Sequence, residues 1–395
     1  MLRVLTLSTL FPDASRPNFG IFVERQTLGL AAHPGVDLKV VAPIGVLPDP
    51  LARLRPGGRM RQPLSERWKG LEVRRPRFLS IGGRWNAGHL VQALEPVLDD
   101  LIRDFPFDVI DASFFFPDGP AAVALGRRYG VPVSIKARGA DVHHWGRLPS
   151  TGAQVIAAGQ AADGLLAVSA AMRADMIAQG MPGDRIRVHH TGVDRDQFRP
   201  TDRAAAKAAL GVDGSLVLSV GALIPRKGHD VVIDAVAALP GVTLAIAGEG
   251  PEGPRLRAQA ASLGIADRVR WLGAVPHGDL PAIVAAADVT ALASSSEGLA
   301  NAWLESLACG TPIVITDAGG AREVVTSSAA GCVVPRDPLA FAAGIAQMLA
   351  LAPPPEMVRA ATAGFTWEAN TAALYEHLSD LRDRIAGSAL KQAIA

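Results

Sequence analysis

The sequence predicts an α/β protein of two doubly wound domains, and three observations carry that prediction. A short aliphatic run, a turn and an alanine-rich amphipathic segment recur along the chain in two successive sets. Such alternation argues parallel strands covered by helices on both faces, with ligands at the strand C-terminal ends in the crevice between the domains. The 395 residues suffice for two ordinary domains, and 49% hydrophobic against 19% charged residues supplies a large core and excludes global disorder. Residues 194–205, rich in Arg and Asp and containing Pro200, read as the linker. The expected organisation is therefore 1–196, 197–366 and a closing segment, 367–395.

Each element follows from its local pattern. In the first set, aliphatic runs predict strands over 2–8, 36–42, 109–112, 131–135 and 165–168. Amphipathic stretches predict helices over 19–32, 86–103, 120–129 and 170–179. In the second set, strands are predicted over 216–220, 243–247, 269–272, 289–292, 313–315 and 332–334. A last helix, over 367–385, follows Pro353-Pro354-Pro355. Residues 44–110 carry no functional motif.

Composition narrows the function classes. Cys309 and Cys332 cannot make a disulfide framework or a cysteine-only zinc site, and read as small buried hydrophobes in a reducing compartment. No apolar run reaches the roughly eighteen residues that a membrane span needs. The opening MLRVLTLSTLF passes into Pro12-Asp13-Ala14-Ser15-Arg16 with no small-residue cleavage site, so it reads as a first strand and the expected location is the cytoplasm.

The formal net charge of +1 conceals ten Lys or Arg over 51–84 (Arg53, Arg55, Arg59, Arg61, Arg67, Lys69, Arg74, Arg75, Arg77, Arg84) against Glu66 and Glu72. Pro56, Gly57, Gly58, Pro63 and Pro76 make much of the stretch loop. It reads either as a surface for anionic lipid head groups or a lipid-diphosphate acceptor, or as a solvated arginine-rich loop. No aromatic stacking pattern accompanies the charge, so nucleic acid is not an expected partner.

Glu297-Gly298-Leu299-Ala300-Asn301-Ala302-Trp303-Leu304-Glu305 places two carboxylates eight positions apart at the start of a helical run. Eight residues span about 12 Å of helix, roughly the reach of a nucleotide sugar from hexose to ribose. The helix amides at 298–301 between them suit a diphosphate. The plainer reading makes Glu297 a helix-start acid and Glu305 a surface residue.

The wider stretch, SSSEGLANAWLESLACGTPIVITDAGGAREVV over 294–325, resembles the signature of retaining glycosyltransferases of family 4. The matching positions are Glu297, Glu305, Cys309-Gly310-Thr311-Pro312, Asp317, Gly319, Gly320 and Glu323. The resemblance implies the GT-B fold, two Rossmann-like domains facing across a cleft with the C-terminal helix returned to the first. It also implies that Glu305 binds the donor ribose and Glu297 the hexose, with Gly298, Leu299, Ala300 and Asn301 at the diphosphate.

The remaining motifs fit this pattern with departures. Over 216–228 a strand runs into Gly221-Ala222-Leu223-Ile224-Pro225-Arg226-Lys227-Gly228, a turn that can present Arg226 and Lys227 to phosphate. The family has Gly-Arg before its Lys-Gly; Lys227 matches the Lys, but Ala222 holds the Arg position, and Arg226 either replaces that guanidinium or points to solvent. Gly248-Glu249-Gly250-Pro251-Glu252-Gly253 satisfies G-x-G-x-x-G, yet it follows the second strand of its set, and no acid for a ribose ends the next strand. A wall of the donor cleft is the preferred reading over an NAD site.

In the first domain Gly20 opens a helix where backbone can approach a phosphate or the acceptor, or simply makes a tight turn. In Arg138-Gly139-Ala140-Asp141, Arg138 stands where relatives have His. Asp141 is the candidate for orienting the acceptor hydroxyl or donor sugar, with helix capping as the alternative. His189-His190-Thr191-Gly192-Val193-Asp194 resembles the family's N-G-V-D hinge segment, with Thr191 for Asn.

The expectation is a retaining glycosyltransferase of the hexosyltransferase class that needs neither metal nor cofactor, with Glu297, Lys227 and Asp141 catalytic and Gly221 in the donor set. It would move sugar from a UDP- or GDP-sugar to a glycan or lipid-linked acceptor in cell-surface polysaccharide biosynthesis, with peripheral contact to the inner membrane face through 51–84. The rival readings are a two-lobed small-molecule-binding protein and an NAD-dependent oxidoreductase.

Overall fold

The computed structural model describes residues 1–17, 19–47 and 62–394. The chain divides into two compact units, Met1–His190 with Trp367–Ala395, and Thr191–Thr366. The sequence reading put the change at 196/197. The segment read as linker is instead tied into the second unit: Phe198 is buried, Arg359 donates to the carbonyls of Arg195 and Phe198, and Val193 bridges Thr366.

The first unit contains β1 (Leu2–Leu7), β2 (Val36–Val41), β3 (Ile44–Val46), β4 (Ser65–Trp68), β5 (Leu71–Arg74), β6 (Arg77–Leu79), β7 (Val109–Ala112), β8 (Val133–Ala137), β9 (Gly164–Ala167) and β10 (Ile186–Val188). Its main sheet runs β10-β9-β8-β7-β1-β2-β5-β4, with β3 and β6 paired separately. All pairs are parallel except β4–β5, a hairpin whose turn residues Lys69 and Gly70 both take positive φ. Successive side chains feed opposite faces. Leu5, Leu7 and Ile110 pack with Leu90, Leu94 and Leu98 of the helix Asn86–Asp104, while Leu2, Val4 and Val109 pack with Val23 and Leu30 of Ile21–Ala32.

The helix Trp367–Ile394 belongs to this unit. Leu374, Leu378 and Leu381, spaced to share one helical face, are buried against that second core. Truncating one of them to Ala costs about 2–5 kcal/mol at a well-packed site. Polar ties fix its position: His377 bonds Ser134 Oγ at 3.1 Å, and Asn370 Nδ2 donates to the His190 carbonyl at 2.6 Å.

The second unit contains β11 (Ser215–Val220), β12 (Val242–Ala247), β13 (Val269–Gly273), β14 (Val289–Leu292), β15 (Ile313–Thr316) and β16 (Gly331–Val334), ordered β13-β12-β11-β14-β15-β16 and wholly parallel. Numbered within the unit this is 3-2-1-4-5-6, the doubly wound order whose direction reverses between its first and fourth strands. Ligands of such sheets bind beyond the strand C-termini at that reversal, here the loops after β11 and β14.

Candidate functional site

The β11 and β14 loops bring together the charged residues singled out in the sequence. Lys227 Nζ donates to Glu297 Oε1 at 2.5 Å, and Arg226 Nη1 lies 3.3 Å from the same oxygen. Arg226 Nη1 also donates to the Ser296 carbonyl at 2.5 Å, so its guanidinium turns toward the site. Ser295 N returns a bond to the Arg226 carbonyl at 2.8 Å, which locks the two loops together. Burial alone would push the Glu297 acid up, but Lys227 and Arg226 outweigh it and hold the group below the ordinary carboxylate range. Two cations therefore face one buried carboxylate.

Glycine makes this packing feasible. Gly319 has φ +53°, and a Cβ there would lie 2.3 Å from the Glu297 carbonyl and 2.4 Å from that of Gly298. Gly320 N then donates to the Gly298 carbonyl at 2.8 Å. Gly221 has φ +147°, and a Cβ there would touch the Lys227 stem at 3.5 Å. Leu299 and Ala300 are buried, and the helix Asn301–Ala308 begins with no side-chain cap at Ala300, so its first amides receive no side-chain acceptor there.

Glu305, just over one turn into this helix, accepts from His277 Nε2 at 3.0 Å. Sequence reasoning missed His277: it follows Pro276 in a turn, and no spacing motif connects it to an acid 28 residues on. The G-x-G-x-x-G segment serves loop packing. A Cβ at Gly248 would meet the Gly221 carbonyl at 1.9 Å, one at Gly250 the Leu223 carbonyl at 2.4 Å, and Leu223 N donates to the Glu249 carbonyl at 2.9 Å. A cavity of about 420 Å³ beyond β14–β16 is lined by Ser294, Ser295, Thr316, Asp317, Arg322 and Arg336, without Lys227 or Glu297.

Asp141 and Gly20 lie in the first unit. The Asp141 carboxylate is buried and accepts from the amides of Arg138 (2.9 Å), Gly139 (2.7 Å) and Val142 (3.2 Å), holding the turn that opens the helix Ala140–His143. Burial raises its pKa against those bonds. Arg138 donates to the Ser113 carbonyl at 2.7 Å and to Gln26 at 3.2 Å, and burial brings its pKa down to about 10. Gly20 has φ +69°, and a Cβ there would lie 1.8 Å from the Leu10 carbonyl, so close packing explains the glycine.

Of the basic stretch, Arg53, Arg55, Arg59 and Arg61 lie outside the described residues. Lys69 pairs with Glu24, Arg74 with Asp100 and Arg75 with Glu66. Arg84 stacks on the exposed Trp85. Cys309 is buried, with its thiol pushed up to about 12 by burial. Among the described residues no three His, Cys, Asp or Glu gather as a metal site, and no helix is long and apolar enough to cross a membrane.

Comparison with known proteins agrees with the geometry. The family described as glycosyl transferases group 1 matches residues 201–365, and Glycosyltransferase Family 4 matches 23–197. D-inositol 3-phosphate glycosyltransferase of Mycobacterium tuberculosis is 42% identical over 205 residues, 48% of this chain and 42% of that relative. The match thus spans less than half of the relative's length. Anabaena HepE in complex with UDP-glucose superposes with TM-score 0.67 at 20% identity, over 99% of this chain and 100% of that one. Sucrose-phosphate synthase from Thermosynechococcus elongatus gives 0.78 at 20% identity, over 96% and 99%.

Fold and site together define the class: a GT-B architecture of two Rossmann-like units with the last helix returned to the first. Within that class the chain belongs to the group 1, family 4 glycosyltransferases.

Proposed function

We propose that the chain is a retaining glycosyltransferase that moves a hexose from a UDP- or GDP-sugar to a glycan or lipid-linked acceptor without a metal. The observation that carries this reading is the excess of cation at the second unit's strand reversal, where Lys227 and Arg226 converge on Glu297. An arriving diphosphate would share those cations. Its oxygens would face the amides from Gly298 to Asn301, and Glu297, released from full pairing, would accept from hexose hydroxyls. Glu305, oriented by His277, would take the ribose diol.

In the transfer the acceptor oxygen bonds to the anomeric carbon as the bond from that carbon to the phosphate oxygen breaks. The electron pair leaves on the nucleoside diphosphate, and the same oxygen takes the acceptor proton. Same-face attack retains configuration, and Lys227 with Arg226 stabilises the charge that develops on the β-phosphate. Asp141 acts through the turn it holds, setting Arg138. The UDP-glucose complex of the Anabaena structure and the sugar-transferring names of the relatives support this donor class. The exposed Ile81 and Trp85 beside Arg84 support a peripheral membrane contact in cell-surface glycan assembly.

The test is a panel of UDP- and GDP-sugars with EDTA present, read as nucleotide release and the anomeric configuration of the product. One donor should turn over with retention and lose turnover in Lys227→Ala. Turnover restored only by added divalent metal, or an inverted product, would refute the corresponding part.

A further inference from the structure

The first unit has its own strand reversal, between β1 and β7, and a pocket of about 140 Å³ opens there. Thr9 after β1, Ala42 after β2 and Pro117 after β7 all line it. Its polar wall is Asp13, Arg16, Arg75 and Asn86, and Phe11 and Phe78 supply aromatic faces. The volume is below the roughly 300–1,000 Å³ of drug-sized sites, which fits one ring rather than an extended ligand.

The charges in this pocket are already matched. Asp13, 1% exposed, accepts from Ser15 N at 2.9 Å and from Arg16 Nη2 at 3.3 Å. Arg75, also 1% exposed, donates through Nε to Glu66 at 2.5 Å and through Nη2 to the Pro12 carbonyl at 2.7 Å. Each cation thus has its own carboxylate. A phosphate seated here would compete with these acids for the guanidiniums and would meet the buried Asp13 carboxylate as a like charge.

A neutral ring meets neither obstacle. Its hydroxyls can bond the remaining lone pairs of Asp13 and the Asn86 Nδ2, which reaches Ser80 Oγ at 3.4 Å while Asn86 Oδ1 accepts from Gly82 N at 3.0 Å. They can also meet Arg16 Nε, which is buried with no hydrogen-bond partner among the described residues. The C–H face of a sugar can lie on Phe11 or Phe78. We propose that this pocket selects an uncharged, hydroxyl-bearing ring, a sugar or cyclic polyol without phosphate, as the acceptor. The choice of acceptor rests on the transferase reading; the preference for neutral rings rests on the pocket alone.

The test is saturation-transfer NMR and calorimetry on the full chain, without donor. Probes are methyl glucoside, methyl mannoside, methyl galactoside and myo-inositol, with glucose 6-phosphate and inorganic phosphate as charged counterparts. At least one neutral ring should bind, with glucose 6-phosphate at least about tenfold weaker than that ring, since its phosphate would face the buried Asp13 carboxylate. Asn86→Ala and Asp13→Asn should each weaken ring binding about tenfold by removing a hydrogen bond to the ligand. Thermal melts of the same samples report folding of the first unit, and UDP binding, read at the second, should stay unchanged. Equal or tighter binding of the phosphate ester, ring binding indifferent to both variants, or no binding of any ring would overturn the proposal. Ring binding that behaves as expected in a chain that turns over no sugar nucleotide would support the pocket and count against the transferase reading alone.

Discussion

The two units place charge at the same topological point and arrange it in opposite ways. In the second, Lys227 and Arg226 converge on Glu297, so one cation is in excess where the strand order reverses. In the first, Asp13 answers Arg16 and Glu66 answers Arg75. On the proposed reading the two arrangements suit different ligands: cations in excess would draw a diphosphate, while matched pairs would leave lone pairs for hydroxyls. Counting arginines along the sequence cannot separate the two cases, whereas counting partners in the structure can.

The contrast is broken most directly by removing the excess. Lys227→Ala should lower sugar-nucleotide turnover by about 10²–10³, the usual cost of deleting a donor to developing transition-state charge. Initial rates on the preferred donor check it, and a loss below about tenfold would mean that Lys227 does not touch the diphosphate. Arg226→Ala should cost less, about tenfold, because its side chain is 41% exposed. An equal loss in both would make Arg226 the true replacement for the family's Arg at Ala222.

Acids of the two units should also respond to pH with opposite sign. Glu297 is held below its ordinary 4.5, so its pairs stabilise the fold above that value and the contribution is lost as pH falls through the folded pKa. Asp118, buried behind the first pocket with its Oδ2 accepting from Thr9 N at 2.9 Å, is pushed up to about 7 by burial. The folded state then holds a proton that the unfolded state gives up from 3.8 upward, so stability declines from there to about pH 7 and levels off. Thermal melts of Asp118→Asn should lose that decline between pH 5 and 8, and Glu297→Gln should lose sensitivity below about pH 4.5. An unchanged slope in Asp118→Asn would refute the assignment.

Smaller effects sharpen the picture. Gly319→Ala should destabilise by about 1–3 kcal/mol, since a positive φ and a carbonyl 2.3 Å from the new Cβ both oppose it, and denaturant melts read the value. His277→Ala should raise the donor KM about threefold with kcat little changed, because it removes one bond that orients Glu305.

Much of the fold was legible because parallel strands buried on both faces read as plain aliphatic runs. The second-unit strands were all found, within a residue or two at each end. Apart from the helix Gly152–Ala161 and the three-residue β10, what escaped was structure whose signal is partnership. The strands β3 to β6 are short, partly exposed and stabilised by pairing, as with the Lys69-Gly70 hairpin, so no periodicity announces them. The linker reading failed because charge and proline mark a loop but do not reveal that Phe198 is buried and Arg359 clasps it. In the site, Glu297 and Lys227 stood out by motif and meet in space, whereas His277 and the Arg75–Glu66 pair belong to contacts that spacing does not encode. Gly20 and Asp141 were visible for their positions, and their geometry ties them to Leu10 and to the 138–142 turn.

Calorimetry of UDP and of GDP with EDTA present, on wild type, Lys227→Ala and Asn86→Ala, bears hardest on this picture. One nucleotide should bind wild type and Asn86→Ala alike, and binding should be lost or weakened at least about tenfold in Lys227→Ala. Failure of both nucleotides to bind wild type, or undiminished binding to Lys227→Ala, would contradict a diphosphate site built on the second unit's unmatched cations.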